Sequence, residues 1–325
     1  MIAILLVPFS IVYRIAIFLW DIHWRNRSQV LLPVKVISVG GLTVGGSGKT
    51  SLTGFLASRF RSAGKNVAVV ARGYKRTKNG ALVAGGERGS DWEYVGDEPA
   101  ALARSIRDLK VFVDSDKTYG AARAAEKGHD PLIIDDGFQH RKLKRDIDIV
   151  CLDGRSPFGN GMMLPSGRLR EPVSALKRAD IVVIIDPKTD SANMRAKIPP
   201  GIPVFEARKT VLAVRSLTGE IIQIGGARCL AFCGLGNPQS FRDSLLQTGC
   251  DIVEFMKFND HHRYDLRDSA RIIDRFQERG GEYIVTTLKD AVKLEKIWKY
   301  DYPLYYLEIV LRLEREHEFL SLMGL

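Results

Sequence analysis

The chain has 325 residues, enough for two domains or for one large core with an appendage. With 45% hydrophobic and 26% charged residues, its composition is that of a globular protein and excludes a disordered one; no internal repeat, low-complexity tract or Ser/Gly/Pro-rich linker interrupts it. A formal net charge of +10 points to anionic partners, namely nucleic acid, an anionic membrane or a phosphorylated substrate, without choosing among them.

The first stretch, Met1 to Trp20, reads MIAILLVPFSIVYRIAIFLW. No basic residues precede the apolar run and no small-residue cleavage site follows, which argues against a signal peptide. Arg14 sits well inside a stretch barely long enough to span a bilayer. On a helix, Ser10, Arg14 and Asp21 share one side, while Ile2, Leu5, Leu6, Phe9, Val12, Ala16 and Leu19 line the other. Trp20 and Trp24 then meet Arg25 and Arg27, an aromatic and basic flank suited to headgroup level. The pattern reads as a helix lying in the membrane surface. A true span and a helix packed on the protein's own core are the alternatives. Pro8 is expected to break or kink its first turns.

Val34 to Val39 is a short β-branched run that reads as a buried strand. Gly40 to Gly48 is a glycine-rich loop. From Lys49 the apolar spacing of Leu52, Phe55, Leu56 and Phe60 is helical. Strand, glycine loop and Lys-Thr opening a helix form a P-loop pattern. Thr43, Val44, Gly45, Gly46, Ser47, Gly48, Lys49, Thr50 and Ser51 are its candidate nucleotide-binding residues. Backbone N–H groups and the helix N-terminus would hold phosphate oxygens. Lys49 would reach the β- and γ-phosphates, and Thr50 would place its hydroxyl on Mg²⁺. Thr43 stands where the strict pattern has glycine. The simpler alternative is a helix-capping loop without nucleotide.

A second strand, Asn66 to Ala71, runs into the basic segment Arg72-Gly73-Tyr74-Lys75-Arg76. Ligands of open α/β sheets sit beyond such carboxyl ends, so the segment reads as a contact for an anionic substrate, with a solvated loop as the alternative. Asp97, in Gly96-Asp97-Glu98-Pro99, reads locally as a helix cap. Lys110 to Val113 is a third strand, Thr118 to Lys127 an alanine-rich helix, and Pro131 to Ile134 a fourth strand. This strand ends in Asp135-Asp136, the form of a Walker-B element, in which one carboxylate holds Mg²⁺ and its neighbour orients a nucleophile or a metal-bound water. A plain Asp-Gly turn is the alternative. Gln139 to Arg145 is densely basic, and Asp148 to Leu152 is a fifth strand. The long loop from Asp153 to Pro172 carries Arg168, Arg170 and Glu171, and loops of that length are usually functional or mobile. Ile181 to Ile185 closes this α/β series, which implies a mostly parallel sheet with helices on both faces.

Beyond about Glu206 the pattern changes to a smaller α/β unit. Val211 to Leu217 and Glu220 to Ile224 read as hairpin strands, Cys229 to Cys233 as a buried strand, Gln239 to Thr248 as a helix and Ile252 to Phe258 as extended chain. Leu266 to Arg279 reads as an amphipathic helix, Tyr283 to Thr286 as a strand and Leu288 to Leu294 as a short helix. Asp260-His261-His262, in a loop between strand and helix, is placed for chemistry as an acid–base pair or as metal ligands, and the lack of a third ligand at close spacing ranks metal below acid–base work. Cys151, Cys229, Cys233 and Cys250 read as reduced core thiols, consistent with a cytosolic compartment. The guanine-specifying Asn-Lys-x-Asp is absent. Val44 stands where partitioning and septum-site ATPases carry lysine. An ATP-using enzyme is the class that remains.

The stretches TVGGSGKT, ARGYKR, GDEPA, DDGFQHRKLKRDIDIV, GNGMMLPSGRLREP, AFCGLGNPQSF, NDHHRY and TTLKDAVKL occur in this order. In this the chain resembles the tetraacyldisaccharide 4′-kinase family, and its apolar N-terminal helix resembles that family's membrane-binding element. The resemblance implies a P-loop NTPase-type α/β fold with a smaller C-terminal α/β domain and an N-terminal membrane-surface helix. The expected divisions are 1–28, 29–207, 208–302 and a terminal strand and helix at 303–325. It implies a monomeric enzyme at the cytoplasmic face of the inner membrane of Gram-negative bacteria. Its partners are the anionic membrane surface and an acylated disaccharide 1-phosphate lipid, not nucleic acid. It would transfer the γ-phosphate of ATP, with Mg²⁺, to the lipid's 4′-hydroxyl and give lipid IVA. By the same resemblance Asp97 is the catalytic base, paired with His261. Asp135, Asp136 and Glu171 lie near Mg²⁺, and Arg170 lies beside the nucleotide. Arg72, Tyr74, Arg76, Gln139 and His140 are substrate-side. The chain departs from the family at Asn259, where proline is usual. A membrane-tethered ATPase switch acting on a protein partner is the rival function. A surface-bound helix predicts release of the protein by carbonate washing of membranes; retention in the pellet would indicate a span.

Overall fold

The computed structural model of the chain describes residues 6–25, 27–74, 82–85, 91–187 and 192–325. In chain order, the first part contains α1 (Val7–Arg25), β1 (Val36–Gly41), α2 (Lys49–Ser62), β2 (Ala68–Ala71), β3 (Leu82–Ala84), α3 (Trp92–Val95) and α4 (Asp97–Ser105). Then come β4 (Lys110–Val113), α5 (Lys117–Glu126), β5 (Leu132–Asp135), β6 (Ile147–Asp153), β7 (Ile181–Ile185) and α6 (Ala192–Arg195). The rest comprises β8 (Val204–Ser216), β9 (Ile221–Ile222), β10 (Arg228–Cys233), α7 (Pro238–Leu246), β11 (Asp251–Lys257), α8 (Leu266–Glu278), β12 (Tyr283–Thr287), α9 (Leu288–Leu294), β13 (Leu304–Leu313) and α10 (Glu316–Met323).

These strands form one 13-stranded sheet in the order β11-β10-β12-β13-β8-β7-β6-β1-β5-β2-β4-β3, with β9 on β8. Strands from β8 through β7, β6, β1, β5 and β2 to β4 are mutually parallel, and so are β11, β10, β12 and β13. β8 and β13 pair antiparallel and join the two blocks. The central strands read as unbroken apolar runs because both faces are covered. One face of the first block packs on α2, α4 and the terminal Phe319, and the other on the α5 alanines Ala121 and Ala124.

The register sets where ligands go. β7 pairs only with the start of β8, ending at Ile185 against Ala207. β12 pairs with the start of β13, ending at Thr287 against Leu307, which in turn faces Val214 near the end of β8. The two parallel blocks are therefore staggered along the β8–β13 ribbon, with carboxyl ends pointing toward each other. Between Ala207 and Val214 the ribbon alone bridges a gap on the order of 20 Å at about 3.3 Å per residue. That gap is the cleft.

Several expectations change. The two hairpin strands become the far half of the single strand β8 and the short β9, because the β13 partner runs the whole length of β8. The parallel series does not close at β7, since β8 adds to it. The short antiparallel edge strand β3 was not anticipated. Pro8 sits in the first turn of α1, where its missing N–H costs nothing, and the turns before it, on which the expected break bears, lie outside the described residues. The Asp153–Pro172 loop is pinned beneath the glycine loop by pairing of Leu169 with Thr43 and Met163. All four cysteines are buried and free.

Helix α1 is amphipathic with its polar side inward. Ser10 Oγ donates to the Met163 carbonyl at 3.0 Å, Tyr13 Oη donates to the Arg170 carbonyl at 3.1 Å, and Asp21 pairs with Arg141. Phe9, Val12, Ile15, Phe18 and Leu19 face outward and are exposed, and so does Arg14. Among the described residues, no helix is long and apolar enough to cross a membrane.

Gly40 packs directly on the turn after β5: a Cβ there would lie 2.4 Å from Phe138 Cβ and 2.7 Å from its backbone nitrogen. Gly40→Ala should cost about 1–3 kcal/mol through overpacking, read as a lower urea midpoint with unchanged slope.

Candidate active site

The glycine loop leaves the carboxyl end of β1 and turns into α2 at Gly48, whose φ of 80° is left-handed. A Cβ at Gly48 would also meet Ile185 Cγ1 at 2.9 Å, so backbone and space both require glycine. Gly45 (φ 99°) is covered by Arg168, whose Nη2 would stand 2.4 Å from a Cβ there. Arg168 Nη2 donates to the Val44 carbonyl at 2.9 Å, and Val44 N donates to the Arg168 carbonyl at 2.8 Å. Thr43 is buried in its bridge to Leu169. Thr43 and Val44 thus tie the loop down rather than line the cleft. Gly45, Gly46, Ser47, Gly48, Lys49, Thr50 and Ser51 line it. Lys49 Nζ donates to the Gly45 carbonyl at 3.3 Å and lies 3.6 Å from Asp136 Oδ1.

The acidic pair closes the floor. Asp135 ends β5 and is buried, accepting from Thr53 Oγ1 at 2.9 Å with Thr50 Oγ1 at 3.5 Å. Burial, with Glu98 and Asp136 nearby, pushes its carboxyl up to about 6. Asp136 turns the chain with a left-handed φ of 49°, which aspartate tolerates better than most side chains. Its Oδ2 accepts from Arg170 Nη1 at 2.7 Å. Burial opposes its charge, but Lys49, Arg170 and Lys117 outweigh that and hold it at about 2. Its Oδ1 is buried and makes no hydrogen bond among the described residues. With Thr50 and Asp135 this makes an all-oxygen donor set, the kind Mg²⁺ takes. Lys117 was missed in the sequence. It is buried at the start of α5, where burial lowers its pKa, and its Nζ donates to the Asp136 carbonyl at 2.6 Å.

Glu171 differs from the expectation that it reaches nucleotide and metal. It is buried behind the cleft wall, with Oε2 accepting from Arg141 at 3.0 Å and Arg178 at 2.8 Å and Oε1 from Gln139 Nε2 at 3.1 Å. Gln139 also donates to the Gly41 carbonyl at 3.0 Å. Two arginines that neutralise a buried carboxylate leave it little affinity for a cation. Arg170, Gln139 and His140 do line the cleft, as do Arg72 and Tyr74. Arg76 lies outside the described residues.

Across the cleft, Asp97 opens α4 without capping it; Gly96 holds the cap position. Its buried carboxylate instead accepts from His261 Nδ1, 2.9 Å from Oδ2 and 3.1 Å from Oδ1. His261 stands in the turn after β11 with φ 57°, its ring 5.2 Å from that of Tyr74. Lys289 and Lys293 of α9 come within 3.8 and 3.7 Å of Asp97 Oδ2. Burial disfavours the Asp97 anion, yet the His261 hydrogen bond and both ammoniums hold its pKa below the ordinary carboxylate value. Neither lysine was singled out from sequence. Their four-residue spacing on a short helix was the available signal, since it puts both on one face. At about 1830 Å³ the cleft exceeds the roughly 300–1,000 Å³ of a single-ligand pocket, which leaves room for two substrates.

A glycine loop opening a helix at lysine, an acidic pair at the adjacent strand end, and a buried Asp–His pair facing them define the P-loop kinase class. The chain belongs to the tetraacyldisaccharide-1-P 4′-kinase (LpxK) family, whose model matches residues 2–323. It is 38% identical to the tetraacyldisaccharide 4′-kinase of Syntrophus aciditrophicus, over 98% of this chain and 91% of that one. It is likewise 38% identical to that of Syntrophotalea carbinolica, over 94% and 85%. In structure it is similar to Aquifex aeolicus LpxK, described as the "apo" form in complex with ATP. The TM-score is 0.81 and the identity 33%, over 100% of this chain and 99% of that one. The chain is thus a kinase.

His140 Nε2 lies 2.8 Å from Thr118 Oγ1, and burial, helped by Lys117, lowers its pKa from 6.5 to about 4. In that window the unfolded chain binds the extra proton, so the contribution is present above 6.5 and lost as pH falls through about 4. Relative to His140→Gln, the wild-type protein should lose up to about 3 kcal/mol of stability across that window in urea unfolding.

Proposed function

We propose that this kinase phosphorylates the 4′-hydroxyl of a tetraacyldisaccharide 1-phosphate with ATP and yields lipid IVA, with Asp97 as base and His261 as its partner. One observation carries this reading: the buried, cation-flanked Asp97 carboxylate is bonded to His261 across the cleft from the glycine loop. The family's name supports the acceptor, and the similarity to an ATP-bound relative supports the donor.

In this reading, backbone N–H groups of Gly45 to Lys49 and the start of α2 hold the phosphates. Lys49 neutralises the β- and γ-oxygens, and Arg170 adds charge from the cleft wall. Mg²⁺, held by Thr50, Asp135 and Asp136, supplies further positive charge at the phosphate oxygens when bound. We assign Glu171 to positioning Gln139 and Arg141. Arg72 and Tyr74, with His140 and Gln139, lie on the side of the lipid sugar. His261 donates from Nδ1 and orients Asp97. Asp97 accepts the 4′-hydroxyl proton as the oxygen attacks the γ-phosphorus, and the bond to the β-phosphate oxygen breaks to release ADP.

The same reading gives the two parallel blocks the roles of a P-loop lobe, residues 29–207, and a smaller lobe, 208–302, with 303–325 returning to the first. Helix α1 lays its outward apolar side on the cytoplasmic face of the inner membrane. The chain's positive charge suits anionic headgroups and an acidic lipid, and a monomer suffices.

A single-turnover assay with labelled ATP and the disaccharide lipid tests this. The lipid should gain the label, and Asp97→Asn should lower kcat by about 10²–10⁴-fold with KM for ATP nearly unchanged. ATP hydrolysis indifferent to the lipid would overturn the reading.

A further inference from the structure

We propose that Lys289 is a positioning residue for phosphoryl transfer, a cationic clasp that fixes the Asp97–His261 pair across the two halves of the sheet. This rests on the reading of Asp97 as base. Lys289 Nζ donates to Glu98 Oε1 at 3.1 Å and lies 3.8 Å from Asp97 Oδ2, both on α4. It also lies 3.8 Å from Asp260 Oδ1 and 3.4 Å from His261 Nε2, both in the turn after β11. One ammonium therefore touches α4 in the first half and the histidine turn in the second. The lysine is little exposed, and the three carboxylates around it, against the cost of burial, raise its pKa. Its charge is thereby retained throughout the neutral range.

The seat of Lys289 is rigid. Thr287 caps α9 by accepting from Asp290 N, and buried Asp290 accepts from Gly234 N at 2.9 Å and pairs with Lys293 at 2.8 Å. Lys293 in turn donates to the His262 carbonyl at 3.0 Å. The histidine turn is the part that needs fixing. His261 holds a left-handed backbone, secured within its own half by a 3.3 Å hydrogen bond from its N to the Gly234 carbonyl.

Lys289 also supports the proton placement that Asp97 imposes on His261, since the carboxylate only accepts and Nδ1 must donate to it. An ammonium has donors only. Nε2, which faces it, is the acceptor, so the ring proton sits on Nδ1 and points at Asp97. Without Lys289, Nε2 loses its donor, and the base loses a positive charge beside it. The other groups facing Asp97 are His261 and Lys293, with Glu98 beside it on α4, Asp260 beyond His261, and Arg263 over the Trp92 ring nearby.

The test compares Lys289→Met, Lys289→Gln and Lys289→Arg with Asp97→Asn in the full-length enzyme, with labelled ATP and the disaccharide lipid. Thermal unfolding checks each fold. Both neutral variants should lose at least tenfold in kcat with KM for ATP little changed. Losing a unit charge at this distance should raise the acid limb of the kcat/KM profile by about one pH unit. Lys289→Arg should recover most of the rate and return the limb. Wild-type kcat and an unmoved limb in either folded neutral variant would overturn the inference, as would failure of Lys289→Arg to recover either. If Asp97→Asn stayed active, the base assignment itself would fall. An inactive Asp97→Asn beside a normal Lys289→Met would remove Lys289 alone.

Discussion

The molecule depends on the antiparallel pairing of β8 with β13. Each parallel block presents ligands at its strand carboxyl ends, and in a single parallel sheet all those ends would share one edge. Here the ribbon reverses one block and offsets it, so that Ile185 and Thr287 end their strands at separated levels of the ribbon. The glycine loop, Arg72 and Asp135 come from one set of ends, and Gly234, His261 and Lys289 from the other. Asp97 and Glu98, at the start of α4, reach from the first half to His261 and Lys289 of the second.

Charge within the cleft follows from that convergence. Buried carboxylates on their own would protonate, as Asp135 tends to do. Asp136 stays ionised because Lys49, Arg170 and Lys117 surround it, and Asp97 because the His261 hydrogen bond and the ammoniums of Lys289 and Lys293 do the same. Because opposite charges alternate, the cleft holds anions without expelling its own carboxylates. It can receive phosphate groups and still present a base.

A second chain of contacts ties the outer helix to the same centre. Asp21 of α1 holds Arg141, Arg141 holds Glu171, Glu171 holds Gln139, and Gln139 reaches the carbonyl of Gly41 at the root of the glycine loop. This inward polar side explains why α1 can expose Phe9, Val12 and Phe18 and still be anchored. It docks through these hydrogen bonds and the ion pair together with the packing of Tyr13 and Ile17 on the core.

Local patterns were legible because they follow from residue type alone. The β1–loop–α2 unit, the β5 strand ending in Asp135 and Asp136, and the split polarity of α1 could be read from glycine, β-branched and charged residues at fixed spacing. The long β8 was read as hairpin strands, because its partner lies far along the chain and pairing overrides local alternation. Asp97 read locally as a cap, and only resemblance suggested otherwise. Lys117 and the enclosure of Glu171 gave no local sign, and Lys289 gave only its helical spacing from Lys293. Residue type and spacing were enough to specify the phosphate-binding loop, the acidic pair and the family. Tertiary structure decided which distant charges meet, because a buried charge takes its state and its role from neighbours that only the reversed, staggered sheet brings within a few ångströms.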